Sequence, residues 1–167
     1  MKIKSLEDLL TDELRDLYSA EKQIAEALPK FIKSSQSQDL RSVFETHLGQ
    51  TENQIKRLEQ ACSDLGFTPE GKKCVGMAGI LEEGMAGMSN SSEAESGAME
   101  AGMIGGAQRI EHYEIAGYGT AIAHARQLGF TSVADLLNQS LEEEKSMDEK
   151  LTKIARNEIN VQAAMEA

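Results

Sequence analysis

Apolar side chains recur at steps of three and four residues along the start of this chain. Leu6, Leu10, Leu14, Leu17, Ile24, Leu28 and Phe31 form one continuous helical face. Ser5 and Asp8 have the outline of a capping box ahead of it. The pattern reaches Ile32 despite Pro29, a candidate kink or stop. After the polar turn at residues 34–38, a second stripe runs through Leu40, Phe44, Ile55, Leu58, Cys62 and Leu65. It predicts a helix over residues 39–65, closed by Gly66 and by Thr68-Pro69. So short a turn makes the first two helices antiparallel neighbours.

From Phe67 the pattern changes. Lys72-Lys73-Cys74 reads as an ordered loop, residues 77–88 as a short Met- and Gly-rich helix, and Asn90-Ser91-Ser92 as an interruption. A connection this long can return the chain along the bundle, the ferritin-like route rather than up-down-up-down. A third long helix is expected over residues 93–127, stopped by Gly129. A fourth follows, capped by Thr131 or Ser132, with Val133, Leu137, Met147, Leu151 and Ile154 inward. It is expected to fray after Asn157. The reading is all-α: one ferritin-like four-helix bundle over residues 1–160, a short extra helix in the crossover, and a flexible tail at 161–167. Glycines at 97, 102, 105, 106, 117 and 119 are read as sites of close helix approach. Paired helical hairpins also give the two halves a weak internal symmetry.

A formal net charge of −11 argues against nucleic-acid binding by charge attraction. No apolar run is long enough to span a membrane, and the opening residues lack a signal-peptide pattern, so a cytoplasmic location is expected. Cys62 and Cys74 are read as reduced, structural thiols.

The chemistry lies where the apolar stripes are broken. Glu21 stands between Leu17 and Ile24, His47 between Phe44 and Thr51, Glu114 between Ile110 and Gly117, and Glu144 between Ser140 and Met147. A buried carboxylate costs several kcal/mol unless paired or bound to a cation. Four helices that each turn a would-be ligand inward therefore point to a metal site. Glu111, one turn before Glu114, and Asp148, four residues after Glu144, can approach the same cavity. Gln50 is a weak-ligand candidate and Gln54 stands behind the donors. A small rotation of the last helix would exchange Glu144 for Glu143. Tyr18 and Tyr113 are expected to pack, with orienting a carboxylate as the alternative. His112 should point away, His124 lies near the bundle end, and Met77, Met85 and Met88 read as core filling.

The phrases Glu111-His112-Tyr113-Glu114 and Leu141-Glu142-Glu143-Glu144-Lys145 resemble the bacterial YciF/YciE family of ferritin-like proteins. So do residues 16–23, Leu58-Glu59-Gln60 and Gly71-Lys72-Lys73-Cys74, so that the resemblance spans nearly all of residues 4–155. It implies a homodimeric, stress-associated bundle with a dinuclear metal site. Glu21, Glu111, Glu114 and Glu144 match the family's acidic positions, and His47 its histidine. Gly49-Gln50-Thr51 departs from the Glu-Glu-Thr common in the family, and Gln54 stands near where a His is often found. These departures imply a site that binds more weakly, binds one ion, or is partly degraded.

The expected function is iron handling at a carboxylate-rich, dinuclear centre with oxygen or peroxide chemistry; manganese and zinc stay open as alternatives. The competing reading is a non-enzymatic helical dimer whose metal site is structural, weakened or vestigial.

Overall fold

The computed structural model describes residues 3–89 and 96–166, with side chains given outside 87–96. The expected interruption at Asn90-Ser91-Ser92, the start of the third long helix near Glu93, and the packing of Met88 lie outside the described residues. Six α-helices follow in order: α1 (Leu6–Ser34), α2 (Gln38–Asp64), α3 (Val75–Ser89), α4 (Ser96–Gln127), α5 (Thr131–Ile154) and α6 (Asn160–Met165). A π-helical turn, Ala155–Ile159, joins α5 to α6. The chain is an all-α, ferritin-like four-helix bundle of α1, α2, α4 and α5, with α3 as the extra helix of the crossover.

Local signals set most boundaries. Ser5 Oγ accepts from the Asp8 amide while the Asp8 carboxylate accepts from the Ser5 amide, completing the expected capping box. Pro29 lies inside α1, which continues to Ser34. The helices α2 and α4 end on the same phrase, Leu-Gly-Phe-Thr, at residues 65–68 and 128–131. In each, the glycine has a φ of +81°, and paired amide bonds close the last turn: Gly66 to Ser63 and Phe67 to Cys62, then Gly129 to Arg126 and Phe130 to Ala125. The expected side-chain cap of α5 is absent: Thr131 is already helical and the capping residue, Phe130, supplies no side-chain bond.

Around the bundle, α1 packs on α2 and α4, and α5 packs on α2 and α4. Neighbours are antiparallel. The Gln36 amide, just past α1, reaches Glu100 at the start of α4, while Leu17 of α1 meets Gly117 late in α4. The helix α3 lies against α1 and α4. Its lead-in loop is pinned by Lys72, 2.6 Å from Asp12 and 3.0 Å from Asp16. Tyr113 Oη donates to Asp16 at 2.6 Å and lies 2.9 Å from the Cys74 thiol.

Helical structure continues beyond Asn157, the expected start of fraying, through the π-helical turn and α6. Ile159 is buried in the core, and Glu166 accepts from the Gly97 amide at 2.9 Å. Close approach explains the glycines at 97, 106 and 117, which face Ala163, Gly84 and Leu17; Gly102 and Gly119 have open space.

The apolar interior falls into two clusters. One contains Ile24, Leu28, Phe31, Leu40, Phe44, Met103, Ile110, Met147 and Leu151. The other contains Leu10, Leu14, Leu17, Leu58, Cys62, Tyr118, Val133 and Leu137. The polar layer lies between them along the helix axes.

Candidate metal centre

Each long helix delivers buried polar residues to that layer: Glu21 from α1, His47, Thr51 and Gln54 from α2, Glu111 and Glu114 from α4, and Ser140 and Glu144 from α5. Their spacing follows the apolar stripes, so the rotation that buries leucine also turns these groups inward. His47, Glu111, Glu114 and Glu144 each present one ligand atom, all within 4.8 Å of one another, at 0–2 % exposure. The His47 ring nitrogen Nε2 is 3.3 Å from Glu111 Oε1, without the alignment of a hydrogen bond.

The electrostatics fit a cation. Burial first, then the Glu144 carboxylate, raises Glu21 and Glu111 well above the usual carboxylate range. Burial, followed by Glu21, Glu144 and Glu111, does the same to Glu114. For His47 burial lowers the pKa, against a smaller upward pull from Glu144, and this favours the neutral imidazole that a metal needs. Many buried polar atoms also lack a hydrogen-bond partner: Glu21 Oε2, both His47 ring nitrogens, Glu111 Oε2, both Glu114 oxygens and Glu144 Oε2. A domain is stable by only about 5–15 kcal/mol, so four buried carboxylates cannot all stay ionised without compensation. They must be protonated or hold cations. The donor set, oxygen-rich with one imidazole, suits a hard or borderline metal ion such as iron, manganese or zinc.

Behind the donors runs a second set of contacts. Tyr118 Oη donates a short hydrogen bond to Glu21 Oε1. Gln54 Nε2 donates a short bond to Glu144 Oε1 and another, at 3.0 Å, to Glu143 Oε2. Arg57 forks onto Glu143 at 2.6 and 2.9 Å. Glu143 is thus an outer, arginine-paired group, and Glu144 is the one that turns inward.

The remaining candidates separate. Glu21 adjoins Glu114 and Glu144. Gln50 has a buried Oε1 without a hydrogen-bond partner. Asp148 stands at the rim, where it accepts from Gln108 at 2.9 Å and lies 3.4 Å from His112 Nε2. His112 is mostly exposed, as its position on the stripe predicts. Tyr18 donates to Glu59 and Tyr113 to Asp16, so both tyrosines make polar bonds outside the layer. The tyrosine that orients a layer carboxylate, Tyr118, escaped the sequence reading. Its signal was available, four residues after Glu114 and seven after Glu111, on the same helical face.

Fold and site together define a ferritin-like helical protein with a buried histidine–carboxylate cluster able to hold a metal ion. Residues 5–164 match the family described as a domain of unknown function, DUF892, and the chain belongs to this family, together with YciF. Protein YciF of Escherichia coli strain K12 is 40% identical over 168 residues, covering 100% of both chains. The crystal structure of that protein, called a stress protein, superposes with a TM-score of 0.89 over 95% of this chain and 99% of its own. YcfI of Rhodopseudomonas palustris, 40% identical, superposes at 0.85 over 90% and 95%. A two-domain Anabaena variabilis protein with DJ-1/ThiJ/PfpI-like and ferritin-like domains is 15% identical, with a TM-score of 0.61 over 94% of this chain and 38% of that one, a likeness of fold alone.

Proposed function

We propose that this protein is a stress-associated, iron-binding ferritin-like protein, working as a cytoplasmic homodimer, whose ion is held by His47, Glu111, Glu114 and Glu144. The observation that carries the reading is the convergence of those donors within 4.8 Å, all buried. Glu21 stands next to them as a further carboxylate donor, and Gln50 offers a neutral oxygen. Asp148 stands at the rim, 3.4 Å from His112 Nε2. A bound iron ion would supply redox chemistry toward dioxygen or peroxide.

The chain's own part is charge compensation and exclusion of water. Neutral His47 offers a nitrogen, while the carboxylates give up protons when the ion arrives. Apolar layers on either side, Phe44 and Ile110 on one and Leu17 and Leu137 on the other, keep the site dry.

A non-enzymatic, structural role is the second reading, and the sealing of the layer favours it: all four donors are at most 2 % exposed. Anaerobic Fe(II) loading, metal analysis and an anomalous-diffraction map test the binding. A peak within the cluster supports it, and no bound ion at saturating Fe(II) overturns it. A visible absorption change on adding oxygen to loaded protein separates the redox reading from the structural one.

A further inference from the structure

We infer that the polar layer holds a single metal ion, at its His47 end, and that Gln54, Tyr118 and Arg57 close the half in which a second ion would lie. This rests on the metal-binding reading above.

A dinuclear carboxylate centre in a helical bundle ordinarily takes two imidazoles and carboxylates that can bridge through both oxygens. His47 is the only histidine in this layer; His112 is at the exposed rim, and His124 does not belong to the cluster. Two of the four carboxylates are also half engaged. Glu21 Oε1 accepts from Tyr118 Oη, and Glu144 Oε1 accepts from Gln54 Nε2. Each keeps one unpartnered oxygen, Oε2, so neither can bridge two ions without losing its hydrogen bond. The four groups whose ligand atoms gather within 4.8 Å do not include Glu21.

The orientation of the Gln54 amide is decided by its neighbours. Arg57 grips both oxygens of Glu143 at 2.6 and 2.9 Å, which fixes that carboxylate beside Gln54. The amide must then present its NH2 group to Glu143, 3.0 Å away, and to Glu144. Turning it over would set Oε1 against two carboxylates. The two N–H bonds, each aimed at a carboxylate oxygen, thus supply the partial positive charge that a second cation would bring. Arg57, Glu143 and Gln54 are positioning residues, and they reserve Glu144 Oε2 for the ion at the His47 end.

Anaerobic titration with Mn(II) tests this, because bound stoichiometry and electron paramagnetic resonance both separate isolated ions from coupled pairs. The expected result is one Mn(II) per chain with an uncoupled six-line spectrum. Two ions per chain with an exchange-coupled spectrum overturn this inference and leave metal binding intact; no bound ion overturns both. In Gln54→His, the imidazole can donate one N–H to Glu143 and turn its other nitrogen inward, so stoichiometry should rise from one to two. If that variant melts like the parent yet still binds one ion, Gln54 is not the closing residue. Tyr118→Phe, which frees Glu21 Oε1, should raise uptake beyond one ion per chain; uptake unchanged at one ion removes Tyr118 from the proposal.

Discussion

His47 Nε2 and Glu111 Oε1 lie 3.3 Å apart, although they come from α2 and α4, which face each other across the bundle diagonal. Burial holds the imidazole toward its neutral form and the carboxyl toward its protonated form. Both groups therefore lean toward their uncharged forms in metal-free protein, and a bound ion would take the place of the Glu111 proton.

Replacing Glu114 should separate binding from folding. Glu114→Gln keeps the side chain's size and removes a carboxyl group that lacks a hydrogen-bond partner at either oxygen. Iron affinity should drop by about tenfold or more, since even outer-shell changes weaken metal sites by about 10–100-fold. The melting temperature of metal-free protein should not fall. Metal analysis after dialysis, paired with calorimetry, checks both halves; a variant that keeps its iron removes Glu114 from the ligand set.

Stability and metal binding should respond to pH in opposite directions. Glu21, Glu111 and Glu114 are raised well above the ordinary carboxyl value of 4.5, so above that pH the folded chain holds more protons than the unfolded one. Their favourable contribution is full below about 4.5 and is lost as pH rises through the folded values. His47, lowered from 6.5, has the opposite sign but is one group against three. Metal-free protein should thus lose stability between mildly acidic and neutral pH, while iron affinity rises over the same interval. Denaturation and binding isotherms across that range give both slopes.

Glu100 should matter for stability without touching the metal. It is buried, and its Oε1 accepts from the amides of Gln36 and Ser37 at 2.7 and 2.8 Å, tying the α1–α2 turn to the start of α4. Glu100→Ala leaves two amides without their acceptor, at a cost of roughly 1–3 kcal/mol. Urea denaturation measures the loss, and unchanged metal stoichiometry shows that the layer is unaffected.

A methyl group at Gly97 should unseat the last helix. A Cβ there would lie 2.7 Å from the Ala163 backbone nitrogen and 2.9 Å from its Cα, and backbone cannot yield as a side chain can. Gly97→Ala is expected to destabilise by about 1–3 kcal/mol. Hydrogen exchange should localise the effect to α6 and the π-turn before it, with protection of α1 and α2 retained.

Periodicity by itself determined the four long helices, their inward faces and the charged residues placed on those faces. The reason is geometric: a helix repeats every 3.6 residues, so Glu21, His47, Glu114 and Glu144 share the rotation of the leucines beside them. Other features needed the tertiary structure, because they depend on groups from different helices meeting. Glu144 rather than Glu143 faces the layer because Arg57 draws Glu143 outward. Asp148 stops at the rim with Gln108 and His112. Tyr118, a helical neighbour of Glu114, bonds instead to Glu21 across the α1–α4 interface. The C-terminal helix is held in place by Ile159 in the core and by Gly97 against Ala163, neither of which a fading apolar stripe announces.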